Sequence, residues 1–309
     1  MKKIIILAFA IMFSFNIKAQ QENSGSHLMK ISSISTSSGF AAVYAPTTIN
    51  DYYRLKKTVE DPSILIDPDG FGSNSYISDF GGNIGFKFNL GLTPFSKKKN
   101  AYRNNRELRL GIGFNFGSRR SFNFYKTDFI AADTFVSSNG NPPIYADSAF
   151  GSYHYYSESF YEFNINIAYL FKTDPSKRLY LYTGIGAEYG ISMRYFLRYD
   201  NLETSELVYY DEGNPPSGDY YYYYGKYSDN DYEYNSSSTK TNMLNAAHFV
   251  RTYIPLGINF RISSGNSFWK HINVYSEFNP GVEFQIVPND KTYINPYWGV
   301  ALVGLSYRL

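Results

Sequence analysis

Long stretches of this chain alternate apolar and polar residues with a period of two, and in them every Asp, Glu, Lys and Arg falls on one face. From residue 78 to 92 the even positions read Ser78, Phe80, Gly82, Ile84, Phe86, Phe88, Leu90 and Leu92. The odd positions read Asp79, Gly81, Asn83, Gly85, Lys87, Asn89 and Gly91. Successive side chains of a strand point to opposite faces, so this is a strand with one apolar and one polar face. Six further segments repeat the pattern, at residues 108–117, 161–171, 179–194, 250–262, 271–286 and 297–309. In the last, Tyr297, Gly299, Ala301, Val303, Leu305, Tyr307 and Leu309 form the apolar row, although Val300 and Leu302 fall on the side of Trp298, Ser306 and Arg308. A weakly alternating strand is placed at residues 29–45.

Alternation does not say which face is inside. Three features put the apolar face outside. The polar face is rich in Gly, Asn and Tyr, unlike a water-facing surface with interspersed Lys and Glu. The strands are long enough to cross a bilayer at a tilt. The connections alternate between short (96–105, 172–177, 263–266) and long (46–76, 125–153, 200–243, 287–296). The expected fold is all-β: a transmembrane antiparallel up-and-down β-barrel of about eight strands with long extracellular hairpin loops. The start "MKKIIILAFAIMFSFNIKAQ" has a basic end followed by an apolar run too short to span a bilayer. Residues 1–19 therefore read as a signal peptide and residues 20–309 as the barrel domain. The expected location is the outer membrane, with outer-membrane lipid around the barrel and both termini periplasmic.

A barrel of this size has an interior that side chains fill. The inward rows carry Lys87, Arg109, Glu162, Glu188, Arg194, Arg251, Arg261 and Glu277, together with Asp79, Glu107, Glu158, Glu283, Arg119, Arg198 and Arg308. Buried charges need partners, and these nearly balance, so a closed ion-pair network is expected. A proton or ion pathway is the competing reading. The chain has no cysteine, which excludes disulfides, thiolate metal sites and cysteine nucleophiles. Of the histidines, His271 lies inside a strand without a serine beside it on its face, and His154 and His248 are expected as solvated rim residues near loop bases. No G-x-S-x-G, H-E-x-x-H or P-loop motif occurs, so no catalytic residue is assigned and the chain reads as non-enzymatic. The acidic "DNDYE" lacks the glycine and terminal glutamate of an EF-hand loop, and neither metal nor cofactor is expected. A net charge of +2 gives no basic field for nucleic acid.

Aromatic residues make up 19% of the chain, with 32 Tyr and 25 Phe. They are densest in "LVYYDEGNPPSGDYYYYYGKYSDNDYEY". Turn formers at Gly213–Pro216, Gly140–Pro143 and Asp67–Gly70 lie between strand-like runs, so the long connections read as hairpins continuing the barrel strands. Tyr209, Tyr210, Tyr220, Tyr221, Tyr222, Tyr223, Tyr224, Tyr227, Tyr232 and Tyr234 then lie on one projecting hairpin. As a binding surface they would supply rigid amphipathic contact area to a protein or glycan partner. As scaffold they would stiffen the rim, since tyrosine is a good strand former.

The chain ends "GLSYRL". Gly304, Tyr307 and Leu309 resemble the terminal insertion signal of outer-membrane barrels, with Leu in place of the usual Phe. With the "KAQ" start and the Tyr/Asn-rich strands, the mature chain is similar to the small outer-membrane barrels of Bacteroidota, the PorT-like group within the OmpX/OmpA-like superfamily. The resemblance implies the fold and location, and a group with some members tied to protein secretion. No peptidoglycan-binding domain of the OmpA type is expected after the last strand. The resulting expectation is a surface-binding or structural protein, or an accessory subunit of an outer-membrane machine for secretion or assembly. A narrow or lateral transporter of small or hydrophobic solutes, and a lipid-modifying enzyme, are the alternatives.

Overall fold

The alternating segments form strands that find partners only in antiparallel neighbours, and the last strand pairs with the first. A computed structural model describes residues 29–69, 71, 77–78, 80–96, 101–135, 144–210, 233–263, 268–288 and 292–309; residues 1–19, expected to be a signal peptide, lie outside them. The strands are β1 (Met29–Tyr44), β2 (Phe80–Ser96), β3 (Arg106–Phe135), β4 (Ile144–Lys172), β5 (Leu179–Tyr210), β6 (Glu233–Asn242), β7 (His248–Tyr253 and Leu256–Arg261, interrupted at Pro255), β8 (Ile272–Ile286) and β9 (Thr292–Arg308). Eight of them close the ring β1-β2-β3-β4-β5-β7-β8-β9, with β9 returning to β1. β6 lies outside the ring and pairs with the far half of β5. The chain is thus an up-and-down barrel, and closure leaves no strand edge within the ring to face lipid.

The faces follow the sequence pattern through the middle of the wall. Phe86, Ile112, Ile165, Ile185, Leu256 and Val303 point outward and are 45–67% exposed. Glu188 and Arg251 are buried inside, and Lys87 and Arg109 join them across the lumen. The Gly/Tyr content of the inner face has a packing reason. Gly257 stands opposite Tyr182, and Gly304 opposite Tyr275. A Cβ on either glycine would lie 2.0 or 2.2 Å from the facing ring. Small and large residues alternate around the lumen so that the rings fit.

Several β-bulges break the pattern, three of them where they decide which charges and rings face the lumen. An extra residue in one strand reverses which side chains face inward beyond it. In β3, Ser118 pairs with Ser159 but Ser121 with Ser157, which places both Arg119 and Arg120 inside. In β5, Tyr161 pairs with Arg194 but Glu162 with Ser192, leaving Met193 as the extra residue. Arg194 and Arg198 are therefore outside and exposed, contrary to the sequence rows, and Tyr195 and Leu197 turn in. In β9 the register shifts between Ala301 and Val303. Tyr297 and Gly299 consequently face the lumen, while Trp298 and Leu302 face out, reversing the row expected there.

The connections are lopsided as expected. β3, β4 and β5 run for 30, 29 and 32 residues, against 15 for β8. Their extensions form hairpin walls beyond the ring. The connection after β1 is not a hairpin. It folds inward as helix α1 (Ile49–Leu55) and a 3-10 turn (Pro62–Ile64). The Asp51 carboxylate accepts hydrogen bonds at 2.9 Å from the Thr48 backbone N–H and hydroxyl, which fixes the helix start. One helical face then presents Tyr52 and Leu55 to an apolar cluster with Phe122, Phe124, Tyr156 and Phe249. The Tyr156 hydroxyl donates to the Ile64 carbonyl at 2.9 Å and accepts from the Ile66 N–H at 3.1 Å. This segment plugs the barrel at its long-loop end.

The outward row carries a direct test. Ile165→Arg at mid-wall, where Ile165 is exposed and pairs with Ile112 and Tyr189 at the level of Arg251, should lower stability in lipid vesicles by about 2–4 kcal/mol. Urea unfolding of the reconstituted protein reads it; an unchanged midpoint would contradict the outward assignment.

Candidate functional site

The lumen is filled by charge held at three levels. At mid-wall, Arg251 of β7 is fully buried. Its guanidinium donates to both oxygens of Glu162, at 2.5 and 2.8 Å, and to Glu283 at 2.7 Å, and it also pairs with Glu188. Glu188 is shared with Lys87, and Glu283 accepts from Arg119 at 2.8 Å. The Arg119 guanidinium lies between the rings of Phe160 and Phe249, 4.5 and 5.0 Å from their centroids.

Toward the short-turn end, Arg109 donates to Glu277 at 2.5 Å, and the Tyr182 hydroxyl donates to the same carboxylate at 2.7 Å. Lys172 donates to Glu107 at 2.6 Å. Toward the plug, Arg120 holds Glu158 with its Nε at 3.0 Å, and the Tyr195 hydroxyl donates to Glu158 at 2.6 Å. Asp51 of α1 is 3.9 Å from Arg120 and accepts from the Tyr293 hydroxyl at 3.3 Å, so the plug is tied into the charged interior. Asp51, Glu107, Glu158, Glu162, Glu188, Glu277 and Glu283 thus face Lys87, Arg109, Arg119, Arg120, Lys172 and Arg251. Charges this deep persist when each is compensated by an opposite charge and hydrogen bonds.

Small cavities of about 50 and 100 Å³ lie in the interior among the described residues. Arg109 lines both, stacked on Tyr182 and Tyr275 at 5.3 and 5.7 Å. Asn83, Asn89, Asn115, Asn166 and Asn279 line the first cavity, which is polar and has room for a few water molecules.

Ten of the fifteen expected inward charges therefore meet in the network: Lys87, Glu107, Arg109, Arg119, Glu158, Glu162, Glu188, Arg251, Glu277 and Glu283. Arg194 does not, because the β5 bulge turns it out, where it lies 5.6 Å from the Phe196 ring. Arg261 faces the short-turn end and donates to the Pro175 carbonyl at 2.8 Å rather than to a carboxylate. The sequence rows missed Arg120, which needs the bulge to share a face with Arg119. They also missed Lys172, at the end of its strand, and Asp51, in a loop. Asp79 lies outside the described residues.

Beyond the ring, β3, β4, β5 and β6 continue as a four-stranded antiparallel sheet. Tyr209 and Tyr210 end β5, with Tyr210 in register with Tyr145, and Tyr234 is in register with Thr204. Tyr220, Tyr221, Tyr222, Tyr223, Tyr224, Tyr227 and Tyr232 lie outside the described residues. Tyr125 and Tyr153 pack at 4.3 Å between ring centroids. His154 is not the solvated rim residue expected from the sequence. Its Nδ1 is 2.7 Å from the Tyr199 hydroxyl and its Nε2 is 2.8 Å from Ser152 Oγ. Its ring stacks on Tyr199 and meets Phe71 edge-on. A serine beside a histidine has the outline of a nucleophile and base. Here a phenol, not a carboxylate, occupies Nδ1, and the cluster's geometry is that of a packed lid. Among the described residues, no group of three or more acidic or histidine side chains could hold a metal ion.

No protein-family model matches the chain, and no curated protein does. Among solved structures, the attachment invasion locus protein Ail of Yersinia pestis aligns at 13% identity over 91% of this chain and 100% of its own, with a TM-score of 0.22. The translocator domain of the autotransporter NalP from Neisseria meningitidis aligns at 12% identity over 98% of this chain and 97% of its own, with a TM-score of 0.24. At these scores the likeness carries no argument, and the barrel stands on its own closed ring.

Arg251→Met should cost about 3–5 kcal/mol, because it leaves Glu162 and Glu283 buried with less compensation. Loss of heat resistance of the detergent-folded band would show it; a variant as stable as the parent would contradict the network. A second expectation concerns His154, whose pKa burial lowers while Glu203 pulls it weakly the other way. On acidification the unfolded chain takes up its proton first, near pH 6.5, while the folded cluster stays neutral. Stability of the lid is therefore complete above about pH 6.5, falls below it, and levels off once the folded imidazole also protonates. Amide exchange at residues 150–156 and 197–202 should quicken from neutral pH to about pH 5 beyond its intrinsic pH dependence, and His154→Gln should remove that excess.

Proposed function

We propose that this protein is a non-enzymatic outer-membrane barrel whose working part is its outer surface: a rigid platform that presents the β3–β6 sheet and its tyrosine-rich tip to a protein or glycan partner. The observation that carries the reading is the combination of a closed lumen with walls that continue past it. A barrel filled by paired charge and plugged by α1 has little use as a conduit. Three strands nearly twice the length of the others in the ring, joined by a fourth, make a projecting sheet. The sequence places its densest tyrosines at the end of that sheet, and dense aromatic surface usually marks an interaction site. The same reading puts the long-loop end at the cell surface and the short-turn end, with both chain termini, in the periplasm. It also leaves room for a role beside a larger secretion or assembly machine, as the resemblance to the PorT-like group suggests.

Deleting residues 211–232 and closing the gap with a short turn spares every described strand. The shortened protein should stay folded and heat-resistant in detergent, yet lose the partner that co-purifies with the parent from native membranes. In planar bilayers, parent and variant should both show no steady current. Large stable currents would favour a porin, and a variant that keeps every partner would make the hairpin a mere stiffener.

A further inference from the structure

The outer wall carries a feature that a lipid-facing surface does not need. Between β1 and β5, at the long-loop edge of the apolar belt, lies a groove of about 720 Å³. Phe40, Ile84, Phe116 and Tyr161 line it, each 40–50% exposed. Gly82 keeps its floor low. The groove ends against Arg198 and Lys240, which stand directly opposite each other on β5 and β6. Like charges in cross-strand register repel unless an anion compensates them. Asp200 answers Arg198 at 2.8 Å. Lys240 has only the Phe196 ring at 5.4 Å, and Arg194 only the same ring at 5.6 Å, so among the described residues neither forms an ion pair. Arg198 and Lys240 thus stand at the end of an apolar trough, and Arg194 shares the Phe196 ring with Lys240, with a single carboxylate, Asp200, paired to Arg198.

A second outer groove, of about 530 Å³ near the short turns, is lined by Phe171, Leu181, Leu256, Ile258 and Phe278 and has no basic residue in its lining. Ordinary lipid tails suffice to fill it. The long-loop groove differs in having charge placed where a headgroup would lie.

We propose that this groove binds a phosphorylated, acylated lipid of the outer leaflet, with one acyl chain along Phe40, Ile84, Phe116 and Tyr161 and a phosphate between Arg194, Arg198 and Lys240. The orientation rests on the surface-platform reading above, which puts the long-loop end outside. The groove itself does not depend on a partner of the tyrosine hairpin. The cations fit the anion by charge, and the guanidinium groups can hold phosphate oxygens bidentately. The trough fits a chain by shape and apolar lining. A bound lipid would lie against the base of the β3–β6 sheet.

The test uses the full-length protein in detergent, titrated with bisphosphorylated lipid A, with dephosphorylated lipid A and with phosphatidylcholine, and read by native mass spectrometry. Retention should follow the order bisphosphorylated, dephosphorylated, phosphatidylcholine, and should weaken with salt. The triple substitution Arg194→Gln, Arg198→Gln, Lys240→Gln should weaken retention of the bisphosphorylated lipid on the order of 100-fold, since each cation near an anionic surface contributes about a fivefold factor. It should barely change phosphatidylcholine. Gly82→Phe is a second, independent variant. An added Cβ there meets only the Ala41 carbonyl oxygen, at 3.5 Å, so the ring can fill the trough without straining the wall. It should displace lipid A while the folded band keeps its heat resistance. Equal retention of all three lipids, retention unchanged in both variants, or inorganic phosphate competing as well as the lipid would each overturn the proposal. Loss of the hairpin partner in the 211–232 deletion, with lipid retention intact, would separate this site from the platform.

Discussion

A strand in lipid has nowhere to put an unpaired backbone group, and the rest of this structure depends on that constraint. The ring must close, so β9 must meet β1, and the weakly patterned segment at residues 29–44 becomes a strand because its backbone is needed as much as its side chains. Closure also fixes the diameter. With eight strands the interior is narrow enough for side chains from opposite walls to touch, which is why Arg109 can reach Glu277 and Lys87 can reach Glu188 across the lumen.

A narrow interior then decides the chemistry. Charges turned inward are removed from bulk water, so an isolated one would be costly. Arg251 shows the solution: one planar cation with its donors shared among Glu162, Glu188 and Glu283. Arginine suits this better than lysine, because its fork can meet several carboxylates at fixed angles. The glycines opposite Tyr182 and Tyr275 serve the same economy of space. The plug extends the network upward, since Asp51 both starts helix α1 and faces Arg120. Plug and barrel are therefore coupled by charge as well as by the apolar packing of Tyr52 and Leu55.

Much of this was legible in the sequence, for a definite reason. A period of two with all charge on one face is imposed by the membrane itself, so the barrel, its strand segments and ten of the fifteen expected lumen charges could be read directly. The asymmetry of the connections was legible too. What could not be read was phase beyond a bulge. Arg194 and Arg198 sit in correct alternation with Glu188 along the sequence, and only the extra residue at Met193 puts them outside. Tyr297 and Gly299 were misplaced for the same reason, by the shift near Leu302. The inward fold of the loop after β1 left only the faint signal of Thr48 and Asp51 ahead of Tyr52 and Leu55. Arg120, Lys172 and Asp51 were missed because their partners are set by tertiary contact and not by spacing.

The bulges are more than interruptions of a pattern. Below them, β3 and β5 send rings to lipid and charge to the lumen. Above them the assignment reverses, just where the wall leaves the bilayer and the reversal becomes affordable. Phe122, Phe124, Tyr195 and Leu197 turn in and supply the greasy seat on which the plug rests. In exchange, Arg194 and Arg198 turn out, beside Lys240 of the added strand. A strand without the bulge would have carried its lipid-facing rings into water and its cations into the plug, and both would have been destabilising. One extra residue in each of two strands lets the same alternation serve a membrane wall below and a capped, aqueous sheet above. The basic edge of the outer groove is the outward half of that exchange.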